Sequence, residues 1–99
     1  MFMRISWGRI REGMWMDYEE RYKKLAAENT AKGGPKRRWL LRDLDEPDAG
    51  FAISLFDTEA EMRAWANDPE ARERVKTEMA DLYVGDYRVR NCGVRYQTD

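Results

Sequence analysis

Arg4, Ser6 and Ser54 are the polar side chains whose spacing suits chemistry on a shared surface. Each holds an even number within an alternating, strand-like run, Phe2–Ile10 or Gly50–Phe56, and a period of two puts even-numbered residues on one face. A guanidinium at Arg4 can hold an anionic or enolate oxygen. The small residues Ser6, Gly8, Ala52 and Ser54 leave room beside it. In the plainer reading, small residues let helices pack closely and Arg4 reaches solvent. There is no histidine, which removes the usual base near neutral pH, the commonest metal ligand and the usual haem ligand. Chemistry here falls to carboxylates, Tyr, Arg, Lys, Cys or a reactive substrate, and no metal or other cofactor is expected.

Aromatic residues are the other resource, with four Trp and five Tyr. Trp65 on an amphipathic helix either lines a ligand pocket or packs as core, and packing is the commoner use of such a stripe. Trp15, Tyr18 and Tyr22 pose the same choice, and their polar tips need partners if buried. Cys92 is the only cysteine, so no disulfide framework exists and a reducing, cytoplasmic location is expected. No apolar run reaches the ~18 residues of a membrane helix, and the first ten residues read as a strand rather than a signal segment. Eighteen basic against nineteen acidic residues, net −1, give no reason to expect nucleic acid as a partner.

Ninety-nine residues suggest one domain, 1–99, with a modest core. Phe2–Ile10 reads as the first strand. Met14–Ala31 is helical, with Trp15, Tyr18, Tyr22, Leu25 and Ala26 on one stripe, and Lys32-Gly33-Gly34-Pro35 ends it. Lys36–Leu44 is the second strand, with Lys36-Arg37-Arg38 as a solvated start. The acidic run Asp43–Asp48 is a turn; it lacks the spacing of a calcium loop. Gly50–Phe56 is the third strand. Thr58 with Glu61 makes a capping box, where each side chain satisfies an orphan N–H. A break at Asn67-Asp68, with Pro69 starting a new helix, precedes a last strand over Tyr87–Tyr96. A change of parity along it makes Asn91-Cys92-Gly93 a candidate β-bulge. The order β-α-β-β-α-β is a ferredoxin-like α+β plait with a four-stranded antiparallel sheet. Odd-numbered residues (Met3, Ile5, Trp7, Trp39, Leu41, Phe51, Ile53, Leu55) form a face too apolar for water. The helices cover only one face. Either they cover this one, or both faces are covered and the chain associates.

This order, the length, the Phe56-Asp57-Thr58-Glu59 turn and the segment that runs from Ala60 through Trp65 to Asp68-Pro69 resemble the antibiotic biosynthesis monooxygenase (ABM) family over nearly the whole chain. The family's usual Trp-(Asp/Glu)-Ser turn stands here as Phe56-Asp57-Thr58. The resemblance implies a dimeric α+β barrel with two sheets facing each other, so a homodimer joined through Trp7, Trp39, Ile53 and Leu55. It also implies a small-molecule cavity between sheet and helices, facing the even-numbered side. Haem-degrading members pair an Asn, a Trp and a His at positions that are Ser6, Trp65 and Val75 here, so only the Trp matches. Cofactor-free members place polar and aromatic groups near Ala52, Phe56 and Met62. The activity this resemblance implies is that of a cofactor-independent monooxygenase for a small aromatic or polyketide-like compound. Arg4 and Ser6 would stabilise an oxyanion; Trp65, Tyr22, Ser54, Phe56, Met62 and Trp15 would contact the substrate. A non-catalytic small-molecule-binding dimer is the alternative. A more distant one is an RNA-recognition motif, which shares the element order and part of a strand-three signature at Gly50–Phe56. Against it, Ala49 stands where a basic residue is wanted and the loop between strands two and three is acidic.

Overall fold

In the computed structural model, which describes residues 1–30 and 34–99, the alternating run Phe2–Ile10 is strand β1. Trp15–Thr30 is helix α1, and Arg37–Arg42 and Ala49–Phe56 are strands β2 and β3. Glu59–Ala66 and Pro69–Met79 are helices α2 and α3, and a 3₁₀ turn over Ala80–Leu82 leads into strand β4, Tyr83–Gly93. The expected stop of α1 at Lys32-Gly33 lies outside the described residues. Strand β2 is shorter than its apolar pattern because Asp43 turns the chain: its Oδ1 accepts from the backbone N–H of Asp45 at 2.8 Å and of Glu46 at 3.1 Å. The acidic run is thus a hydrogen-bonded Asx turn.

Two local signals divide the second helical region. Thr58 Oγ1 accepts from Glu61 N–H at 3.1 Å and starts α2, which is the Thr58 half of the capping box. Asp68 Oδ1 accepts from Glu70 N–H at 3.0 Å, with Pro69 in the first turn of α3. Each cap satisfies an orphan donor and is worth about 1 kcal/mol. The outcome is two short helices rather than one long one.

The sheet runs β2-β3-β1-β4, antiparallel throughout. Its register lines up rows across the strands. Arg38, Ser54, Arg4 and Asn91 form one; Leu40, Ala52, Ser6 and Val89 form the next. The helices lie on this even-numbered side of β1–β3 and leave the apolar odd-numbered face uncovered within the chain. Trp15 packs against Gly50, where an added Cβ would collide with the indole and with the Leu41 carbonyl oxygen. The core at this end joins Ile10, Trp15, Tyr18, Leu25, Met79 and Leu82, all buried.

One sequence expectation fails in β4. Its pairing with β1 is unbroken from Arg88 to Gly93, so Asn91-Cys92-Gly93 is no bulge. The apparent parity change came from Val94 and Tyr96, which lie beyond the strand's end. The irregularity is earlier: Trp7 pairs with Arg88 but Arg9 with Val84, so Gly85–Tyr87 stand opposite Gly8 alone. Gly85 has φ 71°, a conformation glycine adopts without steric cost.

On the odd-numbered face Met3, Ile5, Trp7, Trp39, Phe51 and Ile53 are only partly buried, and Leu41 is exposed. Arg9 and Arg88 stack over the Trp7 ring at 5.8 and 5.6 Å. No helix among the described residues is long and apolar enough to cross a membrane.

Candidate functional site

Beneath the helices the even-numbered face does not fill with side chains. Small residues at Ser6, Ala52 and Ser54 leave a cavity of about 550 Å³ between the sheet and helices α1, α2 and α3. A volume of this order holds a compact organic ligand. Arg4, Ser6, Tyr22, Ser54 and Trp65, five of the residues singled out from sequence, all reach its wall. Trp15, Phe56 and Met62 do not. They are 4, 2 and 1 % exposed and sit in the packed interior, because each is a large apolar group at a point where helix and sheet meet in contact.

The sequence reading also missed wall residues. Arg38 lies on the cavity, with its guanidinium 5.1 Å over the Trp65 ring. Its even number and its place beside Leu40 were the available signal. Gly34 closes over this pair: a Cβ there would come 3.1 Å from Arg38 Nη2 and 3.2 Å from Trp65 Cη2. At the other end stand Tyr18, which the sequence offered as wall or core, and Tyr83 and Tyr87, which it did not single out. The Tyr83 and Tyr87 rings are 5.2 Å apart, and Tyr83 meets Tyr18 edge-on at 5.8 Å. In a regular strand, residues four apart are about 13 Å apart. The irregularity at Gly85 folds that path so that both rings cover Gly8, where a Cβ would come 3.1 Å from Tyr83.

The polar inventory of the wall is one-sided. It contains Arg4, Arg38, Arg72 and Lys76, and none of its described residues is Asp or Glu. Burial pushes the Tyr18 hydroxyl up to about 12, against a smaller opposing effect of its hydrogen bond with Tyr83. Burial likewise raises Tyr83, and it raises Tyr22, partly offset by the Arg38 charge. Arg38 is itself lowered by burial, with Tyr22 opposing. At neutral pH these tyrosines are therefore proton donors to a ligand and not bases. Ser6 is buried, and its hydroxyl donates a long hydrogen bond, 3.4 Å, to the Ala52 carbonyl.

The same fold occurs among known structures. SnoaB from Streptomyces nogalater, a cofactor-independent oxygenase, is 17 % identical over 97 % of this chain and 94 % of its own, with a TM-score of 0.78. An antibiotic biosynthesis monooxygenase structure is 15 % identical over 95 % of this chain and 98 % of its own, TM-score 0.74. A MhuD variant with two manganese protoporphyrin IX molecules per active site is 17 % identical over 100 and 99 %, TM-score 0.79. No protein-family profile and no curated relative matches the sequence. The chain has the ferredoxin-like α+β fold of the ABM proteins, and at these identities the likeness is one of fold. The porphyrin seen in MhuD does not suit this donor set. The chain has no histidine, and burial holds Tyr18, Tyr22 and Tyr83 away from the ionised form an iron ligand needs. No cluster of His, Cys, Asp or Glu among the described residues could hold a metal ion.

Proposed function

We propose that residues 1–99 act as one ABM-type domain, a cofactor-independent oxygenase for a small aromatic or polyketide-like compound held between sheet and helices. The observation that carries this reading is the cavity itself: aromatic walls with cationic and hydroxyl groups and no carboxylate among the described residues. Such a site favours the enolate or phenolate of a bound substrate, the form that can give an electron to O₂ and then bond to it. The protein's part is to bind, to orient and to hold negative charge. Arg4 faces the oxyanion. Trp65 and Tyr22 form apolar walls, and Ser54 lies between them and Arg4. Ser6 acts as an oxyanion donor only if its proton turns from Ala52 O to the ligand. An oxygen electrode with a panel of quinols and acidic phenols tests the reading. With a substrate identified, Arg4→Ala should lower kcat about a hundredfold and Trp65→Ala should raise KM. Unchanged turnover in both, with both folded, would sink it.

The open odd-numbered face supports a homodimer, with Trp7, Trp39 and Ile53 facing their copies across a barrel interior. Leu55 is already 8 % exposed within one chain and adds little. We place the protein in the cytoplasm, where the exposed thiol of Cys92 stays reduced. A second reading, a non-catalytic small-molecule-binding dimer, is favoured by one observation: no histidine or carboxylate stands among the described wall residues to serve as base. Robust O₂ uptake on the same panel removes it.

A further inference from the structure

The row Arg38–Ser54–Arg4 puts two arginines on one face of the sheet, on the strands either side of β3, with Ser54 between them. Strands lie ~4.8 Å apart, so the two arginine stems rise about 10 Å apart and lean over the same floor. Each brings an unused donor: Arg4 Nε and Arg38 Nη2 are buried and have no hydrogen-bond partner. Buried polar atoms in folded proteins are nearly always paired, and an unpaired donor on a charged group is costly. Those two atoms are themselves covered, but the charges they belong to stand on the wall of one cavity with no described acidic residue beside them, so the counter-charge comes with the ligand. Tyr22, protonated and under the influence of Arg38, adds a further donor on the same side.

Resting on the reading that this cavity takes a small aromatic molecule, we propose that its ligand is an aromatic carboxylate. Its carboxylate lies over Ser54 between the guanidiniums of Arg4 and Arg38. Its ring body runs toward Tyr83 and Tyr87. A carboxylate fits because it offers two oxygens in one plane, one for each arginine, and planar guanidinium forks are suited to that shape. Length agrees. Arg4 and Gly8 are four residues apart on β1, about 13 Å, and Tyr83 and Tyr87 stand over Gly8. That span accepts two fused rings bearing the acid at one end. The carboxylate then anchors the compound beside Arg4, whose charge also faces the oxyanion of the proposed reaction.

Isothermal titration of the full chain with 2-naphthoate, 2-naphthamide and 2-naphthyl phosphate tests this. The acid should bind at least about tenfold tighter than the amide. Arg4→Met and Arg38→Met, which keep the apolar stem, should each weaken the acid about tenfold and leave the amide nearly unchanged. Equal binding of acid and amide overturns the proposal, and the wild-type pair alone decides this if a variant fails to fold. So does an acid affinity indifferent to both substitutions, a phosphate ester that binds much tighter than the acid, or no binding of any probe at millimolar concentration. Acid preference without O₂ consumption supports this inference and removes the oxygenase reading. O₂ uptake on neutral phenols without acid preference does the reverse.

Discussion

Arg38, Ser54 and Arg4 on one face of the sheet, and Trp39, Ile53 and Ile5 on the other, are neighbours along the same three strands. They end in opposite settings. The polar row lies under the helices, beside a cavity. The apolar row has no helix over it and is only partly buried. Folding that served burial alone would put the greasier face inward. Under the proposed function, the roofed polar row takes an anion and the open apolar row takes a second copy of the chain. Trp7 shows how the open face is managed meanwhile, with Arg9 and Arg88 covering its ring.

The contrast can be broken at several points. The largest effect is expected where the helix side is packed without slack. Gly50→Ala drives a methyl into the Leu41 carbonyl and the Trp15 ring and should cost about 3 kcal/mol or more, read as a lowered midpoint in urea. A wild-type midpoint would mean that Trp15 does not lie on the sheet. On the open face, Ile53→Glu should leave the chain folded and weaken self-association by about 2 kcal/mol or more. Sedimentation velocity at micromolar concentration should show a dimer for the wild type and a monomer for the variant. A monomeric wild type would break the comparison, since the apolar row would then tolerate water. Alkali probes the roofed side. Tyr18 is held up at about 12 against a usual 10.0, so the unfolded chain loses this proton first. Stability should hold below pH 10 and fall as pH rises from 10 to 12. Tyr18→Phe should flatten that fall. The smallest effect is expected at Arg38→Met. Removing a buried donor that has no partner should leave stability within about 1 kcal/mol or raise it; a large loss would mean that Arg38 holds the fold and not a ligand.

Much of this arrangement was legible in the sequence because its causes are local. Alternation gave β1 its bounds, and Thr58, Asp68 and Pro69 gave α2 and α3 their starts through their own hydrogen bonds. Strand parity put Arg4, Ser6 and Ser54 on one face. What escaped was set by distant pairings. Nothing near Lys36-Arg37-Arg38 says that the third residue ends over Trp65, 27 positions away. The Tyr83–Tyr87 wall depends on Gly85 meeting Gly8 across the sheet. Trp15, Phe56 and Met62 carry the same apolar character as the wall residues, and an apolar stripe does not reveal where along it the packing opens into a void.

The two arginines on the cavity wall, Arg4 and Arg38, have a consequence for heat. A molecule whose charge they hold binds the folded chain and not the unfolded one, so melting temperature must climb with its concentration. At a hundredfold excess over Kd the gain is about 2.7 kcal/mol, and in a chain of this size each kcal/mol moves Tm by roughly 4–8 °C. A melting curve taken across a library of organic acids would therefore register the occupant before any of its chemistry is known.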